Sequence, residues 1–403
     1  LAFKEIYEPE QILRPDIENP MILKLSHRQR LTPLDYDRNV FHLEFDSLPN
    51  QQLKYEIGDA LAVYPKNPAN LVELLLLRFP NIDKDRIVKL LNEEDSTISY
   101  YRTGWQVLTQ HLDLFGKPNK LFYKNVANYA IDNNEKQHLL KLSEKEGEEE
   151  YKFNLANSVS YFDIFNQYKS IQLDVSDLIQ LIPTIEPRHY SISSSNKVHP
   201  NQVHLLVVTV HWDTPYGLRN GLATHYLDQL QINEELTVAI KPSVMKLPPN
   251  DDQPIIMAGL GTGMAPFRAF IEERYHLQKL GHNVGPMALY FGSRYRQQEY
   301  LYGDELDDYH QQELLKYLRL AFSRDQKEKV YIQNLMQQDK QYLNEWIMEK
   351  KAHFYLCGPT WPELDVRNAV KEAICLTKGY DSKKALELIE ELKEEERYVL
   401  ELY

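Results

Sequence analysis

The sequence contains only two cysteines, Cys357 and Cys375, among its 403 residues. Two thiols exclude a multi-disulfide framework and a metal site built from CxxC pairs. They are typical of a protein in a reducing compartment, so we expect a cytoplasmic location. No apolar run approaches the roughly 18 residues that a membrane-spanning helix needs, and we therefore expect no membrane association.

Positive charge is also scarce. Lys and Arg total 46 against 59 Asp and Glu, which gives a formal net charge of −13. A nucleic-acid-binding protein concentrates basic residues, so we expect no nucleic-acid partner. The sequence also lacks a GxSxG nucleophile elbow, which leaves hydrolase chemistry with little support. Its 13 histidines show no HExxH-type spacing, so no metal site is expected.

The hydrophobic pattern divides the chain into four parts. Residues 1–20 carry three prolines and little periodicity, which predicts a lead or linker segment. Apolar and alternating runs predict strands in 21–67 and 181–248, which would form one discontinuous antiparallel β-barrel. Between them, 68–180 is typical of a helical insertion. The predicted helices of this insertion are 70–79, 84–92, 103–113, 119–130, 135–145, 161–170 and 175–182.

Strands and helices alternate in the last part, 253–403. The predicted strands are 255–258, 288–291, 318–323 and 353–357. The predicted helices are 267–279, 313–317, 342–350, 363–374 and 382–396. This order is typical of a doubly wound parallel sheet. The predicted fold class is therefore an antiparallel barrel with a helical insertion, followed by an α/β domain.

The strongest local motif is a glycine-rich turn between a buried strand and a helix. Residues 255–268 read IIMAGLGTGMAPFR, with Gly261, Thr262 and Gly263 in the turn. Glycines let the backbone approach a pyrophosphate, and the helix N-terminus supplies N–H donors. The spacing is not GxGxxG, so a plain strand-to-helix turn remains the other interpretation.

Basic residues follow the next two predicted strands. Arg294 follows 288–291, and Arg324 and Lys329 follow 318–323. Cations at the carboxyl ends of parallel strands suit a 2′-phosphate, which favours NADP over NAD. Each cation taken singly is equally compatible with ordinary surface charge.

Three further motifs are weaker. Residues 188–191 read RHYS, in which an Arg can make bidentate hydrogen bonds to a phosphate and a Tyr can lie against a flat ring. Residues 221–224 read GLAT and could open a phosphate-binding helix. Cys357 ends a predicted parallel strand, where side chains face a ligand crevice. An ordinary structural role remains open for all three.

Taken in this order, the motifs resemble the ferredoxin–NADP reductase superfamily, and more closely its diflavin-reductase branch. The segments 240–249 (IKPSVMKLPP) and 354–362 (FYLCGPTWP), with Tyr403, resemble the fungal-type flavoprotein components of assimilatory NADPH sulfite reductase. The resemblance covers residues 20–403. It implies an NADPH-dependent FAD oxidoreductase whose electrons pass from FAD to FMN, and then to a sirohaem subunit that reduces sulfite to sulfide.

The resemblance also implies roles for individual residues. The FAD contacts would be Arg188, Tyr190, Ser191, Gly221, Leu222, Ala223, Thr224 and Tyr403. The NADPH contacts would be Gly261, Thr262, Gly263, Arg294, Ser323, Arg324, Lys329 and Tyr331. The catalytic group would be Ser191, Cys357, Glu401 and Tyr403. Cys357 would lie beside the nicotinamide, and Tyr403 would stack on the flavin. Glu401 stands where relatives usually carry Asp, which leaves its catalytic role open.

The implied partners lie outside these 403 residues. No flavodoxin-like FMN domain is present in the sequence, so FMN is expected on another chain or another part of the polypeptide. The same holds for a sirohaem and iron–sulfur subunit, and a start at Leu1 agrees with a fragment.

Two alternatives stay open. One is the module of another diflavin reductase, serving a P450, methionine synthase or an iron–sulfur assembly protein. The other is a non-catalytic flavin-fold scaffold.

Overall fold

The computed structural model describes residues 17–49, 51–91 and 99–403. Most of the predicted lead segment and the last residue of the helix predicted at 84–92 lie outside the described residues. The chain divides into two compact units. The first unit takes Leu1–Leu23, Ala62–Arg188 and Thr209–Ala239, and the second takes Lys24–Leu61, His189–Val208 and Ile240–Tyr403. In the described ranges, no helix is both long enough and apolar enough to cross a membrane.

The first unit is rich in helices. They are α1 (Ala69–Arg78), α2 (Gly104–Gln106), α3 (Lys120–Val126), α4 (Asn133–Ser143), α5 (Glu148–Ala156), α6 (Tyr161–Gln167), α7 (Val175–Leu181) and α8 (Leu222–Gln229). Side-chain caps begin several of them: Asp132 accepts from two N–H groups of α4, and Ser160 forms a capping box with Asp163 at α6. One apolar core joins most of these helices, from Val72 to Ile182.

The helix predicted at 84–92 is wrong. Residues Ile87–Leu91 form strand β4, which pairs antiparallel with β5 (Ser99–Thr103). Leu90 is buried while Leu91 is 57% exposed, which is the two-residue alternation of a strand. Leu90 lies opposite Tyr100, so pairing with a distant segment outweighs the local helical pattern.

A six-stranded sheet has the order β6-β3-β10-β1-β2-β7 within the described residues. Its strands are β1 (Met21–Arg30), β2 (Val40–Ser47), β3 (Ala60–Val63), β6 (Arg188–Ser191), β7 (Gln202–Val208) and β10 (Glu235–Lys241). Strands β2 and β7 pair antiparallel, with Glu44 opposite His204. A separate antiparallel hairpin joins β8 (His211–Thr214) to β9 (Gly217–Asn220).

The second unit contains the predicted parallel sheet, which is confirmed. Its strands are β11 (Ile255–Leu260), β12 (Met287–Ser293), β13 (Leu315–Phe322), β14 (His353–Gly358) and β15 (Tyr398–Leu402). Their order is β13-β12-β11-β14-β15, and neighbouring strands pair in parallel. The chain steps outward from β11 to β13 and then returns to the other side at β14. In such sheets ligands bind at this switch point, outside the carboxyl ends of the central strands.

Helices flank both faces of this sheet. They are α9 (Ala265–Lys279), α10 (Arg296–Glu299), α11 (Gly303–Gln311), α12 (Ile332–Gln338), α13 (Lys340–Asn344), α14 (Glu363–Ile374) and α15 (Ser382–Glu394). One core packs α12, α14 and α15 on one face, and another packs α9 with Val40 and Leu206 on the other. The helix predicted at 313–317 is wrong, because β13 already begins at Leu315 and pairs there with β12.

Candidate functional site

The glycine turn lies at the switch point of the parallel sheet. It connects β11 to α9 through the 3₁₀ turn Gly261–Met264. Gly261 has φ +56°, a conformation that favours glycine, and a Cβ added there would meet only open space. At Gly263 a Cβ would lie 2.1 Å from the carbonyl oxygen of Cys357. The turn therefore approaches the end of β14 closely, and only glycine permits that approach.

The pairing of β14 with β15 sets the positions of two candidate catalytic residues. Cys357 is the register partner of Glu401, and Gly358 is the partner of Leu402. Neighbouring parallel strands present register partners on the same face of the sheet. The strand β15 was not predicted from the sequence, yet it is the element that brings Glu401 to Cys357.

Glu401 joins three side chains from separate segments of the second unit. The hydroxyl of Ser191 donates to Oε2 at 2.6 Å, and the thiol of Cys357 donates to the same oxygen at 3.7 Å. The hydroxyl of Ser243 donates to Oε1 at 2.8 Å. Both carboxylate oxygens thus have hydrogen-bond donors, which fixes the orientation of the carboxylate. Three of the four predicted catalytic residues meet at this one group.

The thiol of Cys357 is held in its protonated form. The side chain is fully buried, and burial raises its pKa well above the usual value. The nearby negative charge of Glu401 raises the pKa further, since a second anion beside a carboxylate is unfavourable. Cys357 is therefore a neutral thiol that donates a hydrogen bond, and not a thiolate nucleophile.

Tyr403 connects to the glycine turn. Its hydroxyl lies 2.8 Å from Oγ1 of Thr262, and its N–H donates to the carbonyl oxygen of Gly358 at 3.1 Å. The side chain remains 63% exposed. The fourth predicted catalytic residue is thus beside the switch point, held by a hydrogen bond to a predicted nucleotide-binding residue.

Two of the three predicted NADPH cations, Arg294 and Arg324, line one pocket. The N–H of Arg324 donates to the carbonyl oxygen of Arg294 at 2.8 Å, and the N–H of Ser323 donates to that of Ser293 at 3.0 Å. These bonds join the loops that follow β12 and β13. Arg294 and Arg324 line a cavity of ≈ 570 Å³. The other lining residues are Asp35, Tyr36, Asp37, Tyr295, Gln297, Gln298 and Asp325.

Six predicted NADPH residues lie outside that lining: Gly261, Thr262, Gly263, Ser323, Lys329 and Tyr331. Lys329 is exposed in the loop after β13, and Tyr331 precedes α12. The ring of Tyr331 packs edge-on against Trp361 at a centroid distance of 5.1 Å. The structure therefore places Arg294 and Arg324 on one cavity, with Ser323 in the adjoining loop, whereas Lys329 and Tyr331 do not line it.

The predicted FAD residues are distributed over both units. In the first unit, Gly221 precedes α8, and the hydroxyl of Thr224 donates to the Gly221 carbonyl oxygen at 3.2 Å. Leu222 and Ala223 form the first turn of that helix, with Ala223 buried. Arg188 is exposed and donates to the carbonyl oxygens of Glu186 and Pro187. Tyr190, Ser191 and Tyr403 belong to the second unit and are partly or largely exposed.

Sequence reasoning missed several residues of these sites. Ser243 lies in a segment that was used only to detect the resemblance. Tyr36, Arg38 and Glu299 were not singled out, because their contacts join positions more than 250 residues apart. No local motif encodes a contact of that length.

One group of side chains in the described residues has the spacing of a metal site. Ligand atoms of His42, Glu44 and His204 lie within 4.8 Å of one another. Several of their polar atoms have protein partners: Nδ1 of His42 meets the hydroxyl of Tyr302 at 2.9 Å, and Nε2 of His204 meets Oε1 of Gln202 at 3.3 Å, whereas Nδ1 of His204 is buried without a hydrogen bond. The expectation of no metal site stays a prediction.

Two family models match this chain. Residues 14–226, more than half of the chain, match the FAD binding domain family. Residues 257–364 match the oxidoreductase NAD-binding domain family. The expectation of one FAD-binding and one nicotinamide-nucleotide-binding region is confirmed.

Curated relatives cover the whole chain. The sulfite reductase [NADPH] flavoprotein component of Saccharomyces cerevisiae is 40% identical over 100% of this chain and 39% of that protein. A probable counterpart from Schizosaccharomyces pombe is 39% identical over 100% of this chain and 40% of that protein. The NADPH–cytochrome P450 reductase of Drosophila melanogaster is 35% identical over 96% of this chain and 59% of that protein.

The chain therefore spans about two-fifths of the length of these sulfite reductase relatives. Both family models and the relatives agree with the order of motifs read from the sequence. The chain belongs to the FAD binding domain family.

Proposed function

We propose that this chain is the FAD- and NADPH-binding reductase module of a sulfite reductase flavoprotein component. The observation that carries the proposal is the joint hydrogen bonding of Ser191 and Cys357 to Glu401, beside the glycine turn. The relatives at 40% and 39% identity support sulfite reduction as the destination of the electrons. When bound, NADPH supplies a hydride and FAD accepts it and passes the electrons on.

The residues of the second unit fit a phosphorylated dinucleotide. Arg294 and Arg324 place two guanidinium groups on one cavity, and guanidinium groups pair well with phosphate oxygens. Gly261 leaves open space at the head of the turn, so a pyrophosphate can approach the backbone there. Gly261, Thr262, Gly263 and Arg294 would hold the pyrophosphate. Ser323, Arg324, Lys329 and Tyr331 would hold the 2′-phosphate.

The FAD residues fit their roles separately in each unit. The first turn of α8, after Gly221, offers backbone N–H groups, and Thr224 adds a hydroxyl beside them. Gly221, Leu222, Ala223, Thr224 and Arg188 would hold the diphosphate. Tyr190, Ser191 and Tyr403 would contact the flavin ring. We assign the barrel to 21–67 and 181–248, the helical connecting domain to 68–180 and the NADP-binding domain to 253–403.

Glu401 organises the reacting end of the site. Its Oε2 accepts hydrogen bonds from Ser191 and Cys357, so both donors are held on one side of the carboxylate. The Ser191 hydroxyl would thereby be fixed in position to contact a bound flavin, and the neutral Cys357 thiol would lie beside a bound nicotinamide. Tyr403 would have to leave its hydrogen bond to Thr262 before a nicotinamide ring could reach the flavin.

The remaining parts of the reaction lie beyond this chain. An FMN-containing flavodoxin-like domain would take electrons from FAD, and a sirohaem and iron–sulfur subunit would reduce sulfite to sulfide. We place the protein in the cytoplasm, in sulfur assimilation. The extra length of the curated relatives leaves room for such a domain.

A second candidate is the corresponding module of another diflavin reductase. The P450 reductase relative at 35% identity over 96% of this chain supports it. A non-catalytic scaffold finds less support, because Ser191, Cys357, Glu401 and Tyr403 are grouped as a redox site would need them.

An acceptor assay separates the two reductase candidates. The FAD-loaded chain is mixed with NADPH, a purified flavodoxin-like FMN domain and a sirohaem subunit, and sulfide is measured. We expect NADPH-dependent sulfide formation that needs all three proteins. Electron delivery to a P450 at a higher rate than to the sirohaem subunit would contradict the main proposal and support the second.

A further inference from the structure

Glu299 is a buried carboxylate that joins two segments of the second unit. It lies at the end of α10, and its side chain is 2% exposed. Oε1 accepts hydrogen bonds from the hydroxyl of Tyr36 at 2.7 Å and from the guanidinium of Arg38 at 2.6 Å. Oε2 accepts from the hydroxyl of Ser293 and from the N–H of Arg294 at 3.0 Å. Both oxygens therefore accept two donors each.

This set of donors keeps Glu299 ionised. Burial alone would raise its pKa, but the hydrogen bonds from Ser293 and Tyr36 and the charge of Arg38 outweigh it and hold the pKa below its usual value. The hydrogen bond between Glu299 and Tyr36 also affects the phenol: together with burial it raises the pKa of Tyr36 to about 12. At neutral pH the network thus contains an anionic carboxylate and a protonated phenol.

The network leads directly to the cavity lined by Arg294 and Arg324. Glu299 accepts the backbone N–H of Arg294, and the charge of Arg294 is near enough to the hydroxyl of Tyr36 to lower the pKa of that phenol. Tyr36 itself lines the cavity. One carboxylate therefore holds both the main chain of Arg294 and the hydroxyl of Tyr36, which line the same cavity.

We propose that Glu299 is the positioning residue of the nucleotide pocket, which orients Arg294 toward the ligand without touching the ligand itself. The inference rests on the proposed function, because it takes the cavity to be the NADPH site. A buried anion close to a phosphate site would repel the ligand if it were unpaired. Arg38 pairs with its charge and three neutral donors complete its hydrogen bonds, so Glu299 orders the two loops without that cost.

The chemistry requires a carboxylate and not an amide. A glutamine at position 299 would keep one oxygen acceptor but would turn an NH2 group toward two donors, so that two hydrogen bonds are lost. Arg38 would also lose its charge partner. The arrangement therefore predicts that Glu299→Gln disturbs the Arg294 loop while leaving the Ser191, Cys357 and Glu401 group in place.

The test measures NADP⁺ binding by calorimetry and steady-state reduction of ferricyanide by the FAD-loaded protein. Glu299→Gln should raise both the Kd for NADP⁺ and the KM for NADPH by about tenfold, with kcat within about twofold. Glu345→Gln is the matched control, since this exposed carboxylate pairs with Lys350 instead. Because Arg294 is assigned to the pyrophosphate, the KM for NADH should rise by as large a factor as that for NADPH.

A second variant protects the test against misfolding. Tyr36→Phe keeps the ring and removes only the hydroxyl between Glu299 and Arg294, so it should raise the KM in the same direction by a smaller factor. Unchanged Kd and KM in both variants, or an equal fall of kcat with constant KM, would overturn the inference. A wild-type protein that binds no NADP⁺ at all would instead overturn the proposed function.

Discussion

The hydroxyl of Ser191 donates a 2.6 Å hydrogen bond to Oε2 of Glu401, across 210 positions of sequence. The bond links the strand β6 to the strand β15 within the second unit. The resemblance implies Asp at the position of Glu401, and the longer side chain left its role open. In the structure the second carboxylate oxygen of this longer side chain also has a hydrogen-bond donor, because Ser243 donates to it at 2.8 Å.

Replacement of Glu401 tests whether this carboxylate acts in the reaction. Glu401→Gln keeps the size but presents an amide, so one of the donors, Ser191 or Ser243, loses its acceptor. We expect reduction of bound FAD by NADPH to slow by about tenfold or more, measured by stopped-flow absorbance. Glu401→Asp keeps the charge and should recover most of the rate. Equal rates for Glu401→Gln and wild type would contradict a role in the reaction.

Arg324 tests the assignment of the 2′-phosphate. Arg324→Ala removes a guanidinium that lines the cavity, so we expect the KM for NADPH to rise by about tenfold or more. The KM for NADH should change little, because NADH lacks the 2′-phosphate. Lys327→Ala, an exposed cation in the same loop, is the control. Equal losses for both nucleotides would count against the assignment.

Replacement of Tyr403 tests the proposal that its ring controls access of the nicotinamide to the flavin. Tyr403→Ala removes the ring that NADH, with its weaker binding, is least able to displace, so the ratio of kcat/KM for NADPH to that for NADH should fall. Tyr403→Phe removes only the hydrogen bond to Thr262 and should lower the ratio part of the way. Steady-state kinetics with both nucleotides gives the ratio. A ratio that stays constant in both variants would exclude a gating role.

Two buried histidines predict sensitivity to acid. Burial lowers the pKa of His42 to about 3 and that of His204 to about 2, with help from the nearby Arg268 and other histidines. Below pH 6.5 the unfolded chain binds protons that the folded chain does not. The free energy of unfolding should therefore fall as the pH falls from 6.5 toward 3, by about 1.4 kcal/mol per pH unit for each histidine.

The variant His42→Asn isolates one of these groups. The groups around His42 are Glu44, Tyr302, Arg268, His27 and His199. Because Asn does not titrate, the slope of unfolding free energy against pH between 5 and 6 should be smaller in the variant. Urea unfolding at several pH values measures it. An unchanged slope would mean that His42 is protonated in the folded protein.

The parallel sheet could be predicted well from the sequence because its signals are local. A buried strand, a glycine turn and a helix occur in sequence order around Gly261, and Cys357 ends a strand as expected. The errors fall where a distant partner decides the structure. Ile87–Leu91 is a strand because Ser99–Thr103 pairs with it, and residues near Tyr317 are a strand because β12 lies beside them.

The candidate site shows the same limit. The residues with a recognisable motif were named from the sequence, and three of the four catalytic candidates meet at Glu401. Ser243 and Glu299 were not named, since each acts through contacts that no local pattern encodes. The predicted residues are thus the ones assigned to ligands, whereas the missed residues hold those ligand-binding groups in place.

The most direct test of the proposed NADPH-to-FAD reaction is an anaerobic absorbance titration of the purified chain with NADPH and, separately, with NADH. We expect a yellow protein whose flavin absorbance is bleached by about one equivalent of NADPH and poorly by NADH. A colourless protein that binds no added FAD and oxidises no NADPH would contradict the proposed reaction.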